Sequence, residues 1–378
     1  MKIVTIEPTP SPNSMKIVLS TELPEGTTYN FKKDDADKAE YPMSSLLQVN
    51  GVKGIYHVMN FMAVERDARV SWEAILKDIQ KIMNKDDQVD APTTEEVLEE
   101  TFGEVYVHVQ TYKDIPLQVK VFDSDAEVRL GLSERFIQAM EEVHSAEVEN
   151  YILLRKWADY GIRYGEKEEV AETIVHEVEA AYPNERLQAI IEQHKDGKEI
   201  EVTRGRKVTL EEFQVDEWEK RFQLLDQMPD PDMSDIDLLN VALEDEKTSI
   251  RRLATVYLGM IEDKAVIPYI EKALKDRSAA VRRTAGDCLS DLGFVEFEKA
   301  AIELLQDPSK VVRWRAAMFL FETGTEKALP ALKAVENDPE FEVKLQIRMA
   351  IARIEEGEEA QGSIWKQMAE LRTTETEA

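Results

Sequence analysis

Cysteine is nearly absent from this sequence, and its absence removes two classes of protein. Cys288 is the sole thiol among 378 residues. The chain therefore forms no internal disulfide and supplies no all-thiolate metal cluster. Glycine and proline are also sparse, at 15 and 14 residues, as in an ordinary globular protein. At this length we expect two or three domains, because a single core rarely grows so large.

Hydrophobic runs long enough to cross a membrane are missing as well. A transmembrane helix needs about 20 consecutive apolar residues, and no stretch of the chain approaches that length. The opening residues, MKIVTIEPTP, contain no apolar segment typical of a signal peptide. We therefore expect a cytoplasmic protein with no membrane partner, in a reducing compartment that suits a single free thiol.

Positive charge is scarce, above all in the middle of the chain. The formal net charge is −29, and it is unevenly spread. Residues 1–85 are neutral, residues 86–234 carry −21 and residues 235–378 carry −8. An acidic surface of this strength repels phosphate groups. The charge therefore predicts that nucleic acid is not a partner.

The last third of the chain repeats itself every 31 residues. A column of aspartates is followed, six positions later, by a column of basic residues, with apolar columns around both. The aspartates are Asp245, Asp276, Asp307 and Asp338, and the basic residues are Arg251, Arg282, Arg313 and Lys344. A fixed period of this size indicates stacked units, each too small to bury its own apolar face.

Each repeat unit has the pattern of two helices. Apolar residues at i, i+4 and i+8 in VRRTAGDCLSDLG and VVRWRAAMFLFETG predict helices that end at Gly293 and Gly324. Pro268 and Pro330 share a column, as expected at the start of the other helix. This pattern resembles HEAT-like repeats. The resemblance implies an α-solenoid over residues 233–360, followed by a polar tail at 361–378.

The aspartate and arginine columns predict a structural ladder. An arginine fork suits a carboxylate, so the arginine of one unit is expected to reach an aspartate of its own unit or the next. Cys288 shares its column with Tyr257, Phe319 and Ala350. That column requires apolar volume, so we interpret Cys288 as a buried spacer rather than a reactive thiol.

One repeat helix carries apolar residues on more than one face, at Trp314, Met318 and Phe321. Arg252 and Arg283 occupy the Trp314 column in the preceding units. Arginine is a poor core residue, so we predict that this column faces a groove and that these five residues bind a partner. The alternative is that Trp314 packs against a neighbouring unit or another domain.

The first 85 residues predict a compact α+β unit of four strands and two helices. This segment resembles the N-terminal domain of Nfu/NifU iron–sulfur scaffold proteins. The resemblance rests on Thr9, Pro12–Ser14, Lys16, Pro42, Leu46, Leu47, Gly51, Val52, the Asn60–Phe61 pair, Val64 and Trp72. In that family a Cys-x-x-Cys motif in a separate domain holds the cluster, and this sequence has no such motif. The resemblance therefore implies at most an accessory role, in which a partner supplies the cluster.

The middle segment, residues 86–232, predicts a second α+β domain. Two alternating strands, EVYVHVQTY and IPLQVKVFD, precede an amphipathic helix, and the alternation in EIEVTRGRKVTLEEF predicts a hairpin with Gly205 at its tip. Five scattered histidines show no ligand spacing, and no GxSxG, Walker A or GxGxxG motif occurs. The one polar cluster, Trp157 with Asp159, Tyr160, Arg163 and Tyr164, is a candidate pocket.

The order of these parts resembles the bacterial conserved virulence factor C family, whose name implies a regulatory role and no toxin activity. The predicted fold is multidomain and mixed, with α+β N-terminal and middle domains followed by an α-solenoid of HEAT-like repeats. We interpret the protein as a non-enzymatic intracellular adaptor with a regulatory role, which binds partner proteins through its HEAT-like repeats and needs no cofactor or metal. Two alternatives stay open: an accessory factor in iron–sulfur assembly or repair, and an enzyme or small-ligand binder with a site in the middle domain.

Overall fold

The computed structural model describes residues 1–9, 11–24, 27–83, 103–123, 125–144, 154–195 and 206–357. The chain forms two compact units. The terminal unit contains Met1–Phe102 and Gly293–Ala378, and the central unit contains Gly103–Leu292. The repeat region is thus divided between them, after its second long helix. The predicted domain boundary at residue 85 and the predicted tail lie outside the described residues, and the boundary at 232 stays a prediction.

The N-terminal domain is a five-stranded antiparallel sheet with two helices. Its elements are β1 (Ile3–Pro8), β2 (Ser14–Leu19), β3 (Thr28–Lys32), a 3₁₀ turn (Lys33–Lys38), α1 (Met43–Leu47), β4 (Val52–Val58), β5 (Phe61–Arg66) and α2 (Trp72–Met83). The strand order is β1-β2-β5-β4-β3. Ile17, Leu46, Met62 and Trp72 are fully buried in one core. The α+β prediction is confirmed, although the sequence pattern missed β3.

The middle domain is a four-stranded antiparallel sheet covered by helices. Its elements are β6 (Glu104–Tyr112), β7 (Ile115–Phe122), β8 (Glu127–Gly131), α3 (Glu134–His144), β9 (Arg155–Tyr164), α4 (Lys167–Ala181), α5 (Asn184–Lys195), α6 (Leu210–Phe213) and α7 (Trp218–Asp226). The strand order is β8-β7-β6-β9. Alternate valines of β6 and β7, among them Val107 and Val121, are fully buried with Phe136 of α3 and Ile174 of α4.

One short element of the middle domain differs from the sequence prediction. Residues 196–205, which include the predicted hairpin tip, lie outside the described residues. The predicted second arm is wrong, because Leu210–Phe213 is a helical turn. Thr209 accepts a hydrogen bond from the backbone N–H of Glu212, and the Glu212 carboxylate accepts one from the backbone N–H of Thr209. This reciprocal capping box favours a helix start over a strand.

The repeat helices keep the 31-residue period. Short helices begin at residues 236, 267, 298 and 329, and long helices begin at residues 248, 279, 310 and 341. They are α8 (Ile236–Ala242), α9 (Thr248–Met260), α10 (Ile267–Ala273), α11 (Ala279–Leu292), α12 (Glu298–Leu304), α13 (Lys310–Thr323), α14 (Leu329–Ala334) and α15 (Phe341–Glu355). Four 3₁₀ turns precede the short helices, at Met233–Asp235, Lys264–Val266, Val295–Phe297 and Glu326–Ala328. The predicted α-solenoid of HEAT-like repeats is confirmed.

Both predicted glycine stops lie directly after long helices, for different physical reasons. Gly293 has a φ of 61°, a left-handed conformation that glycine adopts without strain. Gly324 has a φ of −60°, but a Cβ there would lie 2.4 Å from the backbone oxygen of Leu320. A side chain is therefore strained by the backbone conformation at position 293 and by a steric clash at position 324. Pro268 and Pro330 stand in the first turn of α10 and α14, where the missing N–H costs nothing.

Candidate functional site

The aspartate and arginine columns meet along the repeats. Arg251 donates from Nε and Nη2 to the two carboxylate oxygens of Asp276, at 2.7 and 3.0 Å. Arg313 donates in the same way to Asp338, at 2.7 and 3.1 Å. Each carboxylate belongs to the repeat after the arginine, so the fork joins two neighbouring units. Both pairs are largely buried, and parallel bonds of this kind are the geometry that a guanidinium favours.

The ladder residues are also tied to their own repeats. Nη1 of Arg251, Arg282 and Arg313 donates to the backbone oxygen of the aspartate six residues earlier, at 2.9 Å in each case. The carboxylates of the column accept from backbone N–H groups two residues on: Asp245 from Lys247, Asp276 from Ser278, Asp307 from Ser309, and Asp338 from Glu340. The aspartates therefore also fix the start of each long helix. In the last repeat, the ammonium group of the column residue Lys344 lies 5.8 Å from the ring of Phe341.

The ladder begins on α7, before the first repeat that the sequence pattern indicates. Arg221, on α7, donates from Nε and Nη2 to Asp245 at 2.6 and 3.2 Å. Its Nη1 donates to the backbone oxygens of Val215 and Asp216, as the ladder arginines do. Arg221 precedes Arg251 by 30 residues rather than 31, which is why the period did not reveal it.

A second column, one residue after the ladder arginines, contains Arg252, Arg283, Trp314 and Leu345. We call it the inner column. Trp314 is 3% exposed and Met318 is 2% exposed, and Phe321 is half-buried. The expectation of an exposed aromatic anchor at Trp314 and Met318 is therefore wrong. The structure instead agrees with the alternative, in which Trp314 packs against another domain of the chain.

In the terminal unit, Trp314 faces the N-terminal domain. With Glu342 of α15 it lines a cavity of about 10 Å³ that Pro12 and Trp72 close from the other side. That volume holds one water at most, so the cavity is a packing seam rather than a ligand pocket. Leu345 of the inner column packs on the core of the N-terminal domain.

A buried ion pair joins the two sides of this seam. Arg66 Nη2 lies 2.5 Å from Glu342 Oε1, with both side chains almost fully buried. The Arg66 guanidinium also lies 5.2 Å from the ring of Trp72 and donates to the backbone oxygen of Val70. Trp72 Nε1 donates to the backbone oxygen of Pro12 at 2.8 Å. Trp72 and Pro12, two residues of the Nfu-like pattern, therefore help to build the seam.

In the central unit, the inner column faces the middle domain. Arg252 Nη2 and Arg163 Nη2 lie 3.5 and 3.8 Å from Glu177 Oε2. Arg283 lies 4.3 Å over the ring of Tyr164 and pairs with Asp287 at 3.0 Å. Burial and the neighbouring charge of Arg252 lower the pKa of Arg163 to about 10, although Glu177 opposes the shift. Arg252 and Arg283 therefore contact the chain's own middle domain.

The predicted polar pocket around Arg163 is only partly assembled. Arg163 and Tyr164 join the arginine cluster just described, whereas Asp159 accepts a hydrogen bond from the backbone N–H of Gly161 at 2.7 Å. Trp157 lies in another cluster, on the sheet face that bears Lys120 and Phe122. The residues of this stretch alternate between strand faces and do not line one pocket.

Cys288 is buried in α11, at 4% exposure. Burial, with Asp287 and Asp291 nearby, raises the pKa of the thiol well above its ordinary value, so the reactive thiolate is disfavoured. Sγ lies 3.5 Å from the backbone oxygen of Thr255, and a Cβ on Gly259 would lie 2.4 Å from Sγ. These contacts agree with a packing role. Among the described residues, no group of three His, Cys, Asp or Glu side chains is placed to hold a metal ion.

A different surface of the middle domain combines aromatic and basic side chains. Residues that are paired across antiparallel strands point to the same face of the sheet. The residues that alternate with the buried valines therefore share the other face. We call this side the outer sheet face; its residues are Tyr106, His108, Gln110, Gln118, Lys120, Phe122, Glu127, Arg129, Gly131, Trp157, Asp159 and Ile162. The alternation of polar and apolar residues in β6 and β7 is the sequence signal for this face, although none of the predicted sites includes it.

The aromatic rings of the outer sheet face contact one another and two cations. Tyr106 and Phe122 stack at 5.6 Å, and His108 meets Phe122 edge-on at 4.9 Å. Lys120 Nζ lies 4.6 Å from the ring centroids of both Phe122 and Trp157. Arg129 lies 5.5 Å from the Trp157 ring. Tyr106 is 37% exposed, so the cluster is open to contact from outside.

Comparison with known proteins matches each part of the chain to a described family. Residues 4–88 match "Scaffold protein Nfu/NifU N terminal", residues 110–191 match "Virulence factor", and residues 235–301 and 270–352 match "HEAT repeats". "Conserved virulence factor C" of Staphylococcus saprophyticus is 44% identical over 98% of this chain and 99% of its own length. The chain belongs to the conserved virulence factor C family.

A relative from a second organism matches over the same length. "Uncharacterized protein YpgR" of Bacillus subtilis is 48% identical, again over 98% of this chain and 99% of that protein. A crystal structure of Staphylococcus aureus protein SAV1430 is 36% identical over 22% of this chain and 98% of that one, with a TM-score of 0.21. Among the described residues, no helix is long and apolar enough to cross a membrane.

The Nfu-like domain of this family member does not fit an iron–sulfur cluster of its own. Such clusters are held mainly by cysteine thiolates. This chain has one cysteine, and Cys288 is buried on a repeat helix with a raised pKa. The donor set therefore does not match the group that the Nfu family would imply.

Proposed function

We propose that this member of the conserved virulence factor C family is a non-enzymatic adaptor that acts in the cytoplasm and binds partner proteins. HEAT repeats and family membership favour a regulatory, protein-binding role. In this proposal the repeats act as the scaffold, and within each compact unit they hold that unit's own α+β domain for partner contacts.

The observation that carries the proposal is that the inner column contacts the chain's own domains. Trp314 is buried and Leu345 is partly buried against the N-terminal domain, and the two arginines of the column contact the middle domain. A column that binds the chain's own domains serves to position them. Partner proteins would then bind the presented domains rather than an empty groove in the repeats.

The experiment that tests the adaptor proposal is cross-linking in living cells followed by affinity purification of the full-length chain. The proposal expects specific proteins in amounts comparable to the bait, absent from a tag-only control. The matched variant is Glu342→Gln, which removes the charge that pairs with Arg66 and loosens the hold on the N-terminal domain. Partners that depend on positioned domains should be reduced in this variant. Recovery of no protein above the control would contradict the proposal.

A second candidate function is an accessory role in iron–sulfur assembly or repair, favoured by the Nfu/NifU N-terminal match over residues 4–88. In this case a partner would supply the thiolates. The test is the activity of iron–sulfur enzymes in extracts of a deletion strain, grown with ample iron and with little iron. Reduced activity that the full-length gene restores would support this role, whereas unchanged activity under both conditions would remove it.

A further inference from the structure

We propose that the outer sheet face of the middle domain binds a short protein segment that carries both acidic and apolar side chains. The inference rests on the proposed adaptor function and names the chemistry of the partner. Its starting point is the unusual composition of this face, which places cations over aromatic rings within a part of the chain that is strongly acidic.

Lys120 places a cation at the centre of the outer sheet face. The Lys120 ammonium lies over Phe122 and Trp157. Within the ranges that the structure describes, no carboxylate pairs with it. An ammonium offers three donors, so Lys120 is available to a carboxylate that approaches from outside. Arg129 is exposed beside it and pairs with Glu127 at 2.7 Å, with both side chains about half exposed. An exposed pair of this kind is weak and can exchange partners.

The outer sheet face also presents an exposed aromatic surface. In the described part of the central unit, α3 and α4 pack on the valine face of the sheet. The opposite face presents Tyr106, Phe122 and Trp157, whose rings are only partly covered. Aromatic residues with a cationic rim are typical of the anchoring positions of protein interfaces. Such a surface recognises apolar side chains through the rings and carboxylates through the cations.

The area of the outer sheet face distinguishes a short protein segment from a second copy of the chain as its binding partner. Four strands about 4.8 Å apart, with about five residues of about 3.3 Å each, give a patch of about 15 by 17 Å, or about 250 Å². A stable dimer needs about 800 Å² on each subunit. The face is therefore suited to a short segment rather than to a second copy of the chain.

The fixed charges of the outer sheet face decide between a peptide and a nucleic acid. Glu127 and Asp159 flank the aromatic cluster and would repel the continuous phosphates of a nucleic acid. A segment with a few acidic residues spaced by apolar ones places its carboxylates at Lys120 and Arg129 alone. The observations therefore favour the protein segment.

The test measures binding of three labelled probes to the full-length chain by fluorescence anisotropy. The first probe is a short peptide in which glutamate alternates with leucine and tryptophan, the second has lysine in place of glutamate, and the third is a single-stranded oligouridine. We expect the acidic peptide to bind in the micromolar range and the lysine peptide to bind at least about tenfold more weakly.

Variants locate the binding. Lys120→Glu reverses the central charge and should weaken the acidic peptide at least about tenfold. The matched control is Lys156→Glu, which makes the same charge change at an exposed residue beside Trp157, outside the outer sheet face. It should change the affinity less than about twofold. Trp157→Phe, a milder change than removal of the ring, should weaken binding with a smaller effect than Lys120→Glu, and circular dichroism melts verify folding.

Each contrary outcome has a separate meaning. Equal affinity of the acidic peptide for parent and Lys120→Glu overturns the inference. Tighter binding of oligouridine than of the acidic peptide assigns the face to nucleic acid, and a dimer that Lys120→Glu dissolves assigns it to a second copy; both overturn it. If cross-linked partners persist in Lys120→Glu cells, the adaptor proposal survives while this inference fails. If the parent has no partners, the adaptor proposal fails by itself.

Discussion

Single residues in this molecule are set by what packs against them, and Cys288 is the clearest case. Its column accepts tyrosine, phenylalanine and alanine, and its sulfur fills the space opposite Gly259. The sequence therefore predicted the role of this residue correctly, because a column of mixed apolar residues indicates volume rather than chemistry. The reason for a glycine at position 259 could not be predicted, since it depends on the neighbouring helix.

The contact between Cys288 and Gly259 gives a double-mutant prediction. Cys288→Ala should cost about 1 kcal/mol of unfolding free energy. Gly259→Ala should cost about 1–3 kcal/mol, because its Cβ meets the sulfur. In the Cys288→Ala background the same Gly259→Ala change should cost much less, since the sulfur is gone and alanine favours the helix. Urea unfolding of the four proteins measures this, and additive costs would contradict the contact.

Burial lowers the pKa of His57, on β4, and this gives a pH prediction. The unfolded chain binds a proton near pH 6.5, while the folded domain resists protonation. The contribution of His57 to stability is therefore complete above about pH 6.5 and falls as the pH drops below it. Melts at about pH 7.5 and about pH 5.5 should differ more for the parent than for His57→Leu, which has no titrating ring. Equal differences would show that His57 does not titrate as burial requires.

Trp314 shows where residue-scale prediction fails. Arg252 and Arg283 in its column suggested a solvent-facing position, because arginine is rarely buried without a partner. In the central unit these arginines meet Glu177, Asp287 and the Tyr164 ring. In the terminal unit the same column meets the apolar N-terminal domain. A column reveals which side of a helix a residue occupies, but the domain that covers that side comes from a distant part of the chain.

At the scale of elements, the repeat was largely predictable and its beginning was not. A strict 31-residue period identifies eight helices, because each unit repeats the same apolar contacts. Arg221 breaks the period by one residue and still donates to Asp245 as a ladder arginine does. The predicted hairpin arm after Gly205 failed for a local reason, since the Thr209–Glu212 capping box outweighs the alternation of apolar residues.

The ladder predicts a large difference between two arginines of the repeats. Arg251→Ala removes a 3%-exposed side chain from Asp276 and leaves a largely buried carboxylate unpaired, which should cost about 3–5 kcal/mol. Arg348→Ala is the matched control, because Arg348 is half exposed and pairs with Glu336 at 3.5 Å. It should cost about 0–1 kcal/mol. Urea unfolding followed by far-ultraviolet circular dichroism compares them, and similar losses would mean that the ladder adds no more than a surface pair.

At the scale of the whole molecule, each compact unit joins part of the repeat region to an α+β domain. The order of domains along the sequence could be predicted, because each has its own pattern of strands, helices or repeats. The grouping of these domains into two compact units could not be predicted, since the terminal unit combines the first and last parts of the chain. Its seam depends on Arg66 and Glu342, which lie 276 residues apart and carry no signal of their pairing in the sequence.

The central claim is that the inner column of the repeats holds the chain's own domains, and hydrogen exchange of Trp314→Ala tests it most directly. Loss of the buried indole should lower the free energy of unfolding by about 3–5 kcal/mol. It should also open the seam that Trp314 forms with Pro12 and Trp72. We predict faster exchange, measured by mass spectrometry on the full-length chain, both in α13 and in peptides that contain residues 11–19 and 72–83. Unchanged exchange in those two N-terminal segments would contradict the claim.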